Sequence, residues 1–290
     1  MTGQKIIYVC HGKSNIQLIA TSKGANRTQL KDGYIYESLD ITNESEVEAI
    51  FKKHQPDAVI NTAAFTNVDA CETKRGECKK LNVEAVEYLI KSCEKYNAHL
   101  IHLSTDFVFN GENGPYIETD TPEPQSYYAQ SKYDSEQLLI KSKIKWTIIR
   151  TIIIYGVVDD NSRSNLVLWV KNNLEKKQKI NVISDQFRSP TLAEDLAGAC
   201  INAALKKATG IYHVSGKELM SIIDIAKIVA DFFGLDASHI NSVTSAQLNQ
   251  PAKRPPVTGF ILTKAKHDLD YHPKSFLEGL NLIKSQLEKF

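Results

Sequence analysis

Two short segments carry the residue types for carbonyl chemistry: Ser104-Thr105-Asp106, and Tyr128-Ala-Gln-Ser-Lys132 further along. A Tyr and a Lys four residues apart lie on one face of a helix. An ammonium beside a phenol favours phenolate and lowers its pKa. A phenol tuned toward neutrality can pass a proton to or from a substrate oxygen. The competing phenol, Tyr127, has Ser131 rather than Lys four residues on. With 12 Tyr and many Lys in the chain, the pair alone reads equally well as a solvated helix face. Its placement after an apolar run, His99–Leu103, that ends in Ser-Thr-Asp adds weight. Open α/β sheets bind ligands at the carboxyl ends of their strands. Thr105 would sit there, with Tyr128 and Lys132 beside a nicotinamide.

Apolar runs alternate with amphipathic stretches up to residue 155. The expected strands are Ile16–Thr21, Tyr34–Tyr36, Ala58–Asn61, His99–Leu103 and Trp146–Ile153. Between them the spacing predicts helices over Glu44–His54, Arg75–Lys80, Val83–Tyr96 and Tyr127–Lys141. This βαβα order argues for an α/β fold with a Rossmann-like, doubly wound parallel sheet. Past Gly156 the pattern becomes helices with short strands. Helices are expected at Leu166–Glu175, Leu192–Lys206, Ile222–Phe233 and Ser275–Leu287, and strands at Ile180–Ile183 and Ile211–Val214. Thr191-Leu-Ala-Glu194 has a capping-box pattern. The expected organisation is a dinucleotide-binding part over 1–155 and a smaller substrate-binding region over 156–290, intertwined with it.

The 290 residues carry a net charge of +1 and no long basic run, so nucleic acid is not implied. No apolar stretch reaches membrane-spanning length and no secretory signal is evident, which gives a cytoplasmic expectation. Five Cys at 10, 71, 78, 93 and 200, without C-x-x-C, read as reduced thiols. No metal site is expected, since Cys71, Cys78 and His102 lack a second ligand pair.

The chain resembles the extended short-chain dehydrogenase/reductases, and within them the dTDP-4-dehydrorhamnose reductase family. The resemblance runs through Asn61-Thr-Ala-Ala-Phe-Thr-Asn-Val-Asp69, Leu81-Asn82-Val83, Ser104–Gly111, Tyr128/Lys132, Arg150-Thr151 and Tyr155-Gly156, and continues through Asp185–Thr191 and Arg254-Pro255. It implies NADPH-dependent reduction of a nucleotide-linked 4-keto-6-deoxysugar for cell-surface polysaccharide, with a homodimer allowed for. Tyr128 would be the general acid, Lys132 would tune it and hold cofactor ribose, and Thr105 would bind the reacting oxygen. The resemblance places Thr62, Ala63 and Ala64 against the cofactor, and Asp40 and Ile41 near adenine. Asp40 is equally a helix cap. After the strand expected over Ile16–Thr21, Ser22, Lys23 and Arg27 stand where NAD enzymes carry an acid, so NADP is expected, with NAD the alternative. Substrate contacts fall to Thr66, Ser104, Asn165, Arg188 and Arg254, with Ser162 and Arg163 in the same region. Arginine suits bidentate phosphate contact.

The family opens with a strand and a Gly-rich turn, T-G-x-x-G-x-x-G, and no such run stands here. Gly3 is expected to be its last glycine, Gln4–Gly12 the first helix and Ile16–Thr21 the second strand. The other alignment makes Ile6–Cys10 the first strand. Without the turn, weak NADPH binding is expected. A contrasting expectation is a non-catalytic regulatory subunit resembling the methionine adenosyltransferase beta subunit, for which the absent turn argues and the Thr105/Tyr128/Lys132 set argues against.

Overall fold

A computed structural model describes residues 1–159 and 164–288. The chain begins in a helix, α1 (Thr2–Cys10), followed by β1 (Ile19–Ser22) and β2 (Ile35–Ser38). This agrees with Gly3 and Gln4 opening a helix, and overturns Ile6–Cys10 as a strand. Ile6, Ile7 and Cys10 are buried along one helical face, which strand alternation would have split.

Next come α2 (Glu44–His54), β3 (Ala58–Asn61), α3 (Val68–Thr73), α4 (Arg75–Lys79), a π-helical turn at Lys80–Glu84 and α5 (Ala85–Tyr96). β4 (His99–Thr105), α6 (Tyr127–Lys141) and β5 (Trp146–Thr151) follow. Local chemistry explains several bounds. α2 carries Glu44 and Glu46 in its first turn and Lys52, Lys53 and His54 in its last, matching the helix dipole. Ser126 caps α6 by accepting from the Ala129 N–H.

The second half holds β6 (Ile154–Tyr155), α7 (Leu166–Glu175), β7 (Ile180–Ile183), β8 (Phe187–Arg188), β9 (Thr191–Leu192) and α8 (Ala193–Leu205). Then follow β10 (Gly210–Val214), β11 (Met220–Ser221), α9 (Ile222–Phe232), β12 (Ile240–Val243), α10 (Ser245–Leu248), β13 (Val257–Thr258), α11 (Thr263–Leu269) and α12 (Phe276–Leu287).

Four strands pair in parallel in the order β10-β5-β4-β3, and β1 and β2 pair in parallel as a separate two-stranded piece. Among the described residues no strand pairs with the far edge of β1 or of β3. Helices cover both faces. One apolar cluster joins Ile101, Ile149 and Tyr212 to Ile6 of α1 and Leu196 of α8, with Leu18 and Ile60 against it. The other joins Leu100 and Ile148 to Val47, Val86 and Leu139, with Ile41 and Val59 against it. A third cluster belongs to the C-terminal region, where α7, α9 and α12 pack around β7.

Two expectations need correction. Trp146–Ile153 is not one strand, because the chain turns at Ile153, whose φ of 22° is unusual for a β-branched residue. β6 then leaves the sheet to pair with β9. The Thr191 capping box does not form. Thr191 lies in β9 and donates its hydroxyl to the Ile152 carbonyl (2.5 Å), while Glu194 turns to Lys5 at 2.9 Å.

Candidate functional site

The parallel strands of the four-stranded sheet end on one side, with Asn61, Thr105 and Thr151 at the tips of β3, β4 and β5, while Ser22 ends β1 of the separate pair. The N-terminus of α1 reaches the same side. A Cβ on Gly3 would lie 3.1 Å from the Thr62 hydroxyl, and one on Gly156 would lie 3.2 Å from the Met1 sulfur. The first turn of α1, with its unsatisfied N–H groups, therefore stands against the tip of β3. Helix N-termini suit a diphosphate, so these residues fit a dinucleotide. The glycine admits close backbone approach.

Thr105 and Tyr128 come together. The Thr105 hydroxyl stands close enough to the Tyr128 phenol to bias its titration, while it donates to Asp106 Oδ1 at 3.1 Å and accepts from the Phe107 N–H at 3.2 Å. The phenol is half-buried, its ring edge-to-face with Phe107 at 6.0 Å. Its pKa is not lowered. Burial raises it most, the nearby Thr105 hydroxyl pulls it back, and Asp106 with the Cys71 and Cys78 thiols pushes it up. Lys132 supplies no such lowering here, because its amine is turned to His102 Nε2 at 2.9 Å. Burial holds Lys132 down to about 8, with Glu136 and Cys78 acting the other way.

Asn82 ties the loop after β3 to α6. It accepts from the Phe65 N–H (2.8 Å) and donates to the Ser131 hydroxyl (2.9 Å). Its signal in sequence is an amide within an otherwise apolar stretch. Asn61 Oδ1 accepts from the Ala63 N–H at 3.1 Å, which shapes the turn carrying Thr62, Ala63 and Ala64. Ala63 and Thr66 are exposed there, whereas Ser104 is buried with no hydrogen-bond partner on its hydroxyl.

At the tips of β1 and β2, Lys23 pairs with Asp40 at 2.7 Å. That contact and the Thr42 hydrogen bonds hold the Asp40 carboxyl at about 2. Asp40 does not cap α2, whose N-cap is Asn43. Ser22 shares a hydrogen bond with the Tyr36 hydroxyl (2.7 Å), Ile41 is half-buried, and Arg27 is exposed.

The substrate-side candidates divide. Arg188 is 1% exposed and enclosed by the carbonyls of Phe187, Pro255 and Pro256, with Asp106 at 3.6 Å. Its guanidinium is committed to the protein, which corrects its reading as a phosphate ligand. Asn165 caps α7 and donates to the Gly156 carbonyl at 2.7 Å. Its side chain is likewise in use. Arg254 pairs bidentately with Asp69 (3.0 and 2.8 Å) and lines a cavity of about 470 Å³ with Gln186, Ser245 and Lys253. Ser162 and Arg163 lie outside the described residues.

Three comparisons bear on this arrangement. The family model described as RmlD substrate binding domain matches residues 3–288. A dTDP-4-dehydrorhamnose reductase of Aggregatibacter actinomycetemcomitans is 31% identical over 265 residues, covering 87% of this chain and 89% of that protein. The methionine adenosyltransferase 2 subunit beta of Xenopus laevis is 31% identical over 72% of this chain and 64% of its own length. Among solved structures, the dTDP-4-dehydrorhamnose reductase of Bacillus anthracis in complex with NADP superposes with a TM-score of 0.84. It is 26% identical and covers 93% of this chain and 100% of that one.

Proposed function

Because this chain belongs to the RmlD substrate binding domain family, we propose that it reduces the 4-keto group of a nucleotide-linked 6-deoxysugar with NADPH. The observation that carries this reading is the meeting of Thr105, at the end of β4, with the Tyr128 phenol, packed on Phe107, at the sheet edge that the start of α1 also reaches. Bound NADPH would supply the hydride. Thr105 holds the substrate oxygen, and Tyr128 donates a proton to it as charge develops there. The raised pKa keeps Tyr128 protonated before reaction, as a proton donor requires. Lys132 recharges the site once it faces ligand hydroxyls. The cavity beside Arg254 is assigned to the nucleotide diphosphate, with Lys253 at its rim. Arg27 and Lys23 are assigned to the ribose 2′-phosphate, Lys23 by exchanging its Asp40 contact.

The test is turnover of dTDP-4-dehydrorhamnose with NADPH by the wild type and by Tyr128→Phe. Losing a general acid slows the reaction by about 10²–10⁴-fold. Near-wild-type turnover by the variant would remove Tyr128 from the mechanism.

A second reading, favoured by the identity to the methionine adenosyltransferase subunit, is a non-catalytic regulatory subunit. Tight NADPH binding with no turnover on any nucleotide ketosugar would support it.

A further inference from the structure

His102 lies on β4 with its ring buried at 1% exposure, and three polar groups from two elements, β3 and α6, meet it. Asn61 Nδ2 stands 3.2 Å from Nδ1; Ser135 Oγ and Lys132 Nζ stand 3.1 and 2.9 Å from Nε2. These contacts fix the tautomer. Asn61 Oδ1 is taken by the Ala63 N–H, so the amide turns its NH₂ toward the ring. An amide nitrogen only donates, hence Nδ1 accepts and the ring proton sits on Nε2. Ser135 donates its own hydrogen to the Lys132 carbonyl (2.7 Å), leaving an oxygen lone pair for Nε2–H.

The Lys132 amine therefore stands beside an N–H rather than an acceptor. An ammonium there makes no hydrogen bond to the ring, whereas a neutral amine can share the single Nε2–H with the Ser135 oxygen. The carboxylate that acts on the amine, Glu136, is held bidentately by Arg150 (3.0 and 2.7 Å). The Cys78 thiol faces it from α4.

We propose that His102 is a positioning residue for Lys132: it holds the amine in the free protein and gives it up to a hydroxyl of the bound dinucleotide's ribose. The chain of contacts Ala63 N–H, Asn61, His102, Lys132 then links the β3 turn, which faces the cofactor, to the lysine. This inference rests on the reductase reading, and one arm of its test is independent of that reading.

In the first arm, ¹⁵N spectra of histidine-labelled free protein are recorded from about pH 6 to 9, spanning the ordinary histidine range and part of the lysine range. A neutral Nε2–H ring at His102 throughout is expected, with its Nε2 signal displaced in Lys132→Met. An Nδ1–H ring, or a signal indifferent to Lys132→Met, overturns the proposal. The second arm compares His102→Leu and His102→Gln. His102→Leu, which removes the contact that the amine must leave on binding, is expected to lower the KM for NADPH about two- to tenfold, as for one neutral hydrogen bond. It should also displace a limb of the kcat/KM pH profile, with His102→Gln restoring part of both. Variants that melt earlier yet keep the wild-type KM and pH profile show a purely structural histidine and overturn the proposal. If NADPH binds at no pH while the ¹⁵N result holds, the reductase reading fails and the His102–Lys132 assignment stands.

Discussion

His99, His102 and His213 are folded away from water, and burial lowers the pKa of all three. His213 is held down to about 3, stacked on Phe260 with centroids 3.9 Å apart and donating Nδ1–H to the Tyr116 carbonyl. The sign follows directly. Below the ordinary histidine pKa of about 6.5 the unfolded chain binds protons that the folded ring refuses, so stability falls as the pH drops. Urea melts at pH 7 and pH 5 should therefore differ, and His213→Phe should shrink the difference by about 2 kcal/mol. An unchanged difference would mean that His213 charges within the folded protein. The residues that sequence made visible were those with a local pattern. Tyr128 and Lys132 share a helix, and Thr105 ends an apolar run. The role of His102 was hidden because its partners lie 41 and 30 residues away; in sequence it reads as a strand residue or, beside Cys71 and Cys78, as a metal ligand set aside for want of a second pair. Arg188 misled for a related reason. An arginine that fits phosphate also fits a nest of carbonyls, and only the fold decides between them.

Elements with their own periodicity were read closely, α2, α6, α7 and β7 with the bounds that the structure gives. Strands of two residues, such as β6, β8 and β13, left no trace in sequence. They exist only because a distant segment supplies the pairing, as Tyr155 does with Leu192. Thr191 shows the cost of local reading: a carbonyl 39 residues away took the hydroxyl that would have capped α8. α1 depends on another distant contact. Its buried Lys5 meets Glu194 of α8 at 2.9 Å, and Gln286 of α12 hydrogen-bonds both. Removing one partner of a buried pair leaves an unanswered charge, which typically costs about 3–5 kcal/mol. Lys5→Ala should accordingly lower stability more than the double variant Lys5→Met/Glu194→Leu, and denaturant melts of both would measure it. Equal losses would mean that the pair is solvated and that α1 is held by its apolar face alone.

Across the whole molecule, polar contacts bind the C-terminal region to the sheet. Thr258 donates to the buried Asp106, Arg188 stands behind that carboxylate, and Arg254 clamps Asp69 across 185 residues. The segment after Thr105 is thus shaped by residues of the second half. No described helix is long and apolar enough to cross a membrane. The division of the sheet has a different reach. The backbone N–H and C=O groups along the outer edges of β1 and β3 lack strand partners among the described residues, and Ala58, Val59 and Ile60 are only half-buried. Such an edge is a template for another polypeptide. With no proline or charged side chain in β3 to discourage it, recruitment of a neighbouring molecule should grow with concentration. Light scattering across a dilution series is expected to show larger species at high protein, suppressed by Val59→Lys. In a crowded solution, then, the same bare edges that leave the fold open would make the protein a seed for its own assembly.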